Sequence, residues 1–419
     1  MSAVRPCSST ADAGWILTAQ AGRAFGYGLA AVLLGATLAE SGLTPPQVGL
    51  VLAAVVAGTV VASLAVAALA DWVGRRRAYL VLYLVLVGTG VVYTWTGRWP
   101  VLAAVALLGV LSTEVVESGP FTTLEQVMLA TALTGQKPLV SGFGRYNAVA
   151  AAAGSLGALA AGGPQLLRRV LPAAPGDQHY FLTLTAVALL GAYAATRLST
   201  AVEADPGTPP PSTSRPNVRV GTAPVVWRLA GLFAIDSFGG GFVVQAFLVY
   251  WLQHRYAAST AQAGVVMFAV GLLQTGSFLA APHLAHRIGL LPTMVATHLP
   301  SNPLLAALAF APNLAAAVGL LLARTVLSQM DVPTRQAYVM SLVPAGQRTR
   351  AAAVTNTARY LTRPVGTAVL GPAQLLAPGL PFLLAAAIKT GYDLTLWTWF
   401  RRVRLPEPAP AGTPSGGIP

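Results

Sequence analysis

Six ionisable residues stand inside stretches that are otherwise apolar: Arg23, Glu114, Glu117, Asp236, Arg324 and Asp331. In hydrocarbon a charged side chain costs from about 3 to more than 10 kcal/mol, so each is a candidate for function. A carboxylate beside an arginine can be neutral in one arrangement and ionised in another. That is the chemistry of a proton carrier, and Glu114, Glu117 and Asp236 are the candidates for it. Glu114 and Glu117 are three residues apart, and Arg324 and Asp331 seven apart, so each pair shares a helix face. Glu114 and Arg324 correspond under a 210-residue offset, which makes Arg324 the expected partner of Glu114. Arg359, Arg363, Lys389 and Asp393 lie closer to the chain end and are read as helix-packing or snorkelling groups. No Gly-rich loop followed by Lys-Ser/Thr, no cluster of metal ligands and no nucleophile motif is present, so neither enzyme chemistry nor a cofactor is expected. The single cysteine, Cys7, excludes an internal disulfide framework.

These residues need elements that hold them in an apolar medium. The chain of 419 residues is 55% hydrophobic and only 9% charged. A soluble domain draws about a quarter of its residues from Asp, Glu, Lys and Arg, so most of this surface must face lipid. Crossing about 30 Å of hydrocarbon takes about 20 apolar residues in a helix. Such runs occur at 16–39, 48–70, 78–96, 101–124, 146–167 and 180–198, and again at 225–252, 261–284, 290–310, 314–340, 351–376 and 380–400. The expected fold is therefore all-α, a polytopic membrane protein of twelve transmembrane helices. Residues 200–223, rich in Pro, Ser and Thr, read as a linker between a bundle at 1–199 and a second at 224–404, with a tail at 405–419. By depth, Glu114, Asp236 and Arg324 fall near the midplane, whereas Arg23, Glu117 and Asp331 fall nearer the cytoplasmic side. Gly239, Gly240 and Gly241 follow Asp236 and are expected to loosen the seventh helix.

The net charge of +13 might suggest a nucleic-acid partner, but the basic residues form short clusters between apolar runs instead of one basic face. With the N-terminus in the cytoplasm, most of them fall inside, including Arg75, Arg76, Arg77, Arg348, Arg350, Arg401 and Arg402. Only Arg98, Arg168, Arg169 and Arg255 fall on the other side. That asymmetry predicts two cytoplasmic termini in a plasma or inner membrane, with the lipid bilayer as the main partner of a monomeric chain.

The two halves also resemble each other. An offset of 215 residues aligns Gly26 with Gly241, Gly49 with Gly264, Leu69-Ala70 with Leu284-Ala285 and Gly74 with Gly289. Further on, Glu125 faces Arg335, and Asn147 matches Asn356 at a slightly shorter offset. Ordered matches at nearly one offset indicate a duplicated six-helix unit, hence two pseudo-symmetric bundles.

After the second run comes Leu69-Ala70-Asp71-Trp72-Val73-Gly74-Arg75-Arg76-Arg77. This resembles the signature loop between the second and third helices of the major facilitator superfamily, with Ala67 in place of the leading glycine and Trp72 in place of the first basic residue. The second half has Leu284-Ala285-His286-Arg287-Ile288-Gly289, a decayed copy with His286 where the acid would stand. The resemblance implies that Asp71, Gly74, Arg75 and Arg76 form a cytoplasmic gate latch closed in the outward-facing state, and Glu125 is expected to pair with Arg75 or Arg76. It also implies that the first, fourth, seventh and tenth helices line a central cavity, and these are the spans that carry the six charges.

The implied function is that of a secondary transporter working by alternating access, with a small molecule and protons as its partners. A loose resemblance of Gly154-Ser155-Leu156-Gly157 and Gly162-Gly163-Pro164 to the antiporter motif of this superfamily leans the reading towards proton-coupled export. Two alternatives stay open: uptake or facilitated transport of a nutrient or anion, with Arg23 and Arg324 as anion ligands, and a non-transporting receptor of the same fold. For the topology, Ser212→Cys and Ala257→Cys in a Cys7→Ser background should label from opposite sides of intact cells. Equal labelling would overturn the orientation.

Overall fold

The computed structural model describes residues 7–114, 119–132, 139–203, 223–343 and 348–402, and among them every regular element is helical. Three unbroken spans open the chain: α1 (Cys7–Glu40), α2 (Pro45–Val73) and α3 (Arg75–Trp95). The fourth comprises α4 (Trp99–Ala106) and α5 (Pro120–Ala132), and the fifth α6 (Leu139–Ala160) and α7 (Gly163–Val170). A 3₁₀ turn, Asp177–Phe181, runs into α8 (Leu182–Arg197), the sixth. The second set begins with α9 (Ala223–Gly240) and α10 (Gln245–Tyr256), then α11 (Thr260–Ile288) and α12 (Leu290–Leu308). The tenth span is α13 (Leu314–Ser328) with α14 (Asp331–Leu342), and α15 (Arg348–Leu376) and α16 (Leu380–Phe400) complete twelve.

The repeat is visible at atomic detail. Helices α2 and α11 each run for 29 residues, and each starts from a capping box. The Thr44 N–H donates to Gln47 Oε1 at 2.9 Å, and the Ser259 N–H donates to Gln262 Oε1 at 2.9 Å. Both helices end on a glycine with positive φ, +98° at Gly74 and +93° at Gly289, where a side chain would be strained. The aligned Gly49 and Gly264 do equivalent work, since each admits a helix of the other half: α15 through Gly371, and α6 through Ala158 and Gly162.

Contacts between the halves gather at the end of the bundle away from the chain termini. There Gly35 meets Ala246 and Val249, and Pro45 meets Gly371. Thr260 Oγ1 donates to Asp177 Oδ2 at 3.1 Å, and the Ala261 N–H donates to Gln165 Oε1 at 3.0 Å. Large apolar side chains such as Val61, Leu64, Trp72, Leu84, Leu190, Leu279 and Leu361 stand exposed on the outside, as lipid-facing residues do.

One expected element differs in kind. The fourth span, read as a continuous helix over 101–124, stops at Ala106 and resumes at Pro120, running on to Ala132. The break has a packing cause: Gly109, at φ +74°, lies so close to Gly58 of α2 that a Cβ would fall 2.0 Å from its carbonyl oxygen. Side chains satisfy the carbonyls so released. Tyr27 donates to Val110 O at 2.5 Å and Thr59 to Leu111 O at 3.3 Å. Irregular backbone at this depth is tolerated only with such partners. The seventh span loosens at Gly241–Val243, as the three glycines suggest, and there Thr367 Oγ1 donates to Gly241 O at 2.9 Å. The tenth breaks at Gln329 and Met330.

Candidate functional site: a charged cavity between the two halves

The breaks in the fourth, seventh and tenth spans converge on a cavity of about 190 Å³ between the halves. The first half contributes Glu114 and the Gly154-Ser155 face of α6, and the second half most of the remaining wall. Among the described residues the lining holds three carboxylates, Glu114, Asp236 and Asp331, against five cations, Arg324, Arg335, Arg359, Arg363 and Lys389.

Glu114 follows the end of α4 in the irregular segment, and its Oε1 accepts a hydrogen bond from Arg363 Nη2 of α15 at 2.6 Å. This ion pair joins the halves across the cavity, with the side chains 30% and 21% exposed. It corrects two expectations. Glu114 pairs with Arg363 in place of Arg324, and Arg363 is a cavity group, not a packing group. The cause is rotational: α15 packs along α2, which turns Arg363 towards the segment where Glu114 sits.

Asp236, on α9, is buried and accepts from Lys389 Nζ at 2.6 Å and from Arg335 Nη1 at 3.3 Å. Arg335 also donates to Asp331 Oδ2 at 3.0 Å, one turn away on α14. His298 of α12 extends the network: its Nε2 lies 4.0 Å from Asp236 Oδ1, and its Nδ1 faces both oxygens of Asp393 at 2.9 Å. Asn302 Nδ2 donates to Asp393 Oδ2 at 2.8 Å. Lys389 and Asp393 are therefore network members, not snorkelling groups. The signal for them was present, since two opposite charges one turn apart in an apolar run must find partners inside the protein. His298 was missed because histidine counts as no formal charge in the sequence, so nothing marked it in the apolar ninth span.

Arg23, expected as a substrate or proton ligand, lies outside the lining of this cavity. It is 2% exposed and pairs with the fully buried Glu125 at 2.5 Å inside the first bundle, away from the cavity. Tyr79 and Tyr146 donate to the two oxygens of Glu125 at 2.6 and 2.5 Å, and Arg23 stands over the rings of Tyr27 and Phe121. A carboxylate with three donors in a dry site is a structural anchor. The expected pairing of Glu125 with Arg75 or Arg76 is thereby corrected, because α5 turns Glu125 into the bundle. At the loop after α2, Arg75 Nε donates to Asp71 Oδ1 at 2.7 Å. Glu203, unmarked in the sequence, takes the N–H groups of Arg75 and Arg76 at 2.6 and 3.2 Å. A carboxylate at the first turn of α3 complements its unpaired amides and dipole. Glu117 lies outside the described residues.

Twelve spans in two related bundles around a charged cavity define the fold of a membrane transporter. Residues 16–367 match the family model of the Major Facilitator Superfamily, and the chain belongs to that family. It is 25% identical over 380 residues to an uncharacterized membrane protein of Saccharomyces cerevisiae, YJR124C, covering 83% of this chain and 85% of that protein. The fold is similar to the crystal structure of the nucleoside transporter NupG, with a TM-score of 0.66 at 14% identity, covering 93% of this chain and 98% of that one. It is also similar to a D-xylose-proton symporter, with a TM-score of 0.68 at 13% identity, covering 92% and 97%. A third similar structure is the inward-open conformation of the xylose transporter XylE from E. coli, at 0.67 and 13%, covering 94% and 96%.

Removing one partner of the Arg23–Glu125 pair leaves a buried charge alone and should cost about 3–5 kcal/mol. Thermal unfolding of purified Arg23→Met should therefore show a large loss that Arg23→Met/Glu125→Met partly restores. Equal losses in the two variants would show that the pair is not the source.

Proposed function

We propose that the chain is a secondary transporter that moves a small molecule outward by alternating access in exchange for protons, with Glu114 as the group that binds and releases the proton. The observation that carries this reading is the Glu114–Arg363 pair, an ion pair between the halves whose side chains are partly exposed at the cavity. Protonation of Glu114 removes its attraction to Arg363 and loosens the halves at that point. Deprotonation restores it. A carrier needs such a link between proton occupancy and the relative position of its bundles. With both termini cytoplasmic, the contacts at Gly35, Pro45 and Thr260 lie on the outer side, and this conformation is inward-facing. Among the described residues, the Asp71–Arg75 loop then bonds within itself and to Val202 and Glu203 after the sixth span, and it closes as a latch when the bundles rock to the outward-facing state. Outward transport rests on the antiporter-like glycines of the fifth span. Uptake by symport is the second reading, favoured by the fold similarity to a D-xylose-proton symporter.

In proteoliposomes, Glu114→Gln should lower pH-gradient-driven accumulation by about tenfold or more, the scale of a coupling free energy of about 1–3 kcal/mol, while solute exchange at equal pH persists. Accumulation intact in this variant would remove Glu114 as the proton carrier. Solute leaving acid-outside vesicles as protons enter supports export, whereas co-movement supports symport. Asp71→Asn should raise labelling of a cavity cysteine from the cytoplasmic side and slow transport without changing Tm. Unchanged labelling would refute the latch.

A further inference from the structure

Among the described residues, the cations lining the cavity outnumber its carboxylates. Glu114 is taken by Arg363, and Asp236 and Asp331 are shared by Lys389 and Arg335. Arg324, on α13, lines the same cavity, and among the described residues no carboxylate lies within ion-pair distance of it. Its Nε is buried with no hydrogen-bond partner. Two of the glutamines lining the same cavity donate in series: Gln274 Nε2 gives to Gln329 Oε1 at 2.9 Å, and Gln329 Nε2 to Ser328 Oγ at 3.5 Å.

An arginine held in an apolar span without a counter-ion is costly, and a guanidinium cannot shed its proton to escape that cost. Its planar fork matches a carboxylate or phosphate with two parallel hydrogen bonds. We infer that the molecule carried through this cavity is a small soluble organic anion, a carboxylate or phosphate ester, whose charged group binds Arg324 while Gln274 and Gln329 hold its polar remainder. This rests on the carrier reading above and adds the substrate class to it. Arg324 then takes as counter-ion in the loaded state what the protein withholds in the empty one. The carrier's total charge in transit falls by about one with a carboxylate and by about two with a phosphate monoester, which favours movement of the loaded form.

The test is ligand-induced thermal stabilisation of the purified full-length protein at constant ionic strength. The probes are inorganic phosphate, small aliphatic and aromatic carboxylates and sugar phosphates, each beside its neutral parent sugar or amide and an amine of similar size. Micellar phosphatidylglycerol forms a separate arm. At least one soluble anion should raise Tm where its neutral and cationic counterparts do not. Arg324→Gln should weaken that anion's apparent affinity by about 10- to 100-fold, the loss of a charge-assisted pair, with Arg324→Lys in between. Arg255→Gln, at an exposed residue in the last turn of α10 outside the cavity lining, should leave it unchanged. Stabilisation by neutral or cationic probes, by the lipid alone, or by no probe would overturn the inference, as would anion binding indifferent to Arg324→Gln. Flux of the same anion into proteoliposomes separates the two levels. Binding that depends on Arg324 without flux keeps the anion site and removes the carrier reading, whereas flux of an uncharged solute indifferent to Arg324→Gln keeps the carrier and removes the anion.

Discussion

Hydrocarbon offers no water to a polar group, and most of the architecture follows from that scarcity. Every amide released where a span breaks, and every charge drawn below the surface, must find its partner inside the protein. Tyr27 and Thr59 answer the carbonyls freed after α4, and Thr367 answers the one freed at Gly241. The breaks are therefore stable only where another helix brings a hydroxyl, and they occur where the two halves face each other across the cavity.

The same rule separates two kinds of buried charge. In the first bundle, Glu125 collects Arg23, Tyr79 and Tyr146 away from the cavity. Such a group holds α1, α3, α5 and α6 in register. In the cavity the pairs are looser and shared. Arg335 divides itself between Asp236 and Asp331, and His298 stands between Asp393 and Asp236. Shared partners have several arrangements of similar energy, which suits a site whose occupancy changes during a cycle. Arg324 lines the same cavity, and among the described residues no carboxylate lies within ion-pair distance of it.

Duplication explains why a small set of contacts can hold the fold and still let it move. Gly49 and Gly264 occupy equivalent places, and each lets a helix of the opposite bundle approach closely. The seams of α2 with α15 and of α6 with α11 are thus related by the pseudo-symmetry and lined with small residues. They resist separation through van der Waals contact yet carry few directional bonds, so they can act as sliding surfaces.

Much of this was legible from the chain alone, because apolar length and glycine position are local properties. Twelve runs of about the bilayer's thickness, an offset of 215 residues and the Asp71 to Arg77 loop were enough for the fold and family. The loosening at Gly241–Val243 was legible too, from the run of three glycines at 239–241. Partnership was not. Glu125 was matched to a nearby arginine at its own end of the membrane, but α5 rotates it towards Arg23, 102 residues away in sequence. Glu114 was matched to Arg324 by repeat position, yet it meets Arg363 through the packing of α15 on α2. The break in the fourth span carried a local signal too, in Gly109 and Gly119, both at positive φ, and in Pro120, and the close approach of Gly58 to Gly109 adds to it. A sequence states which charges are buried. Which of them meet depends on helix rotation about the long axis, and only the assembled bundle determines that angle.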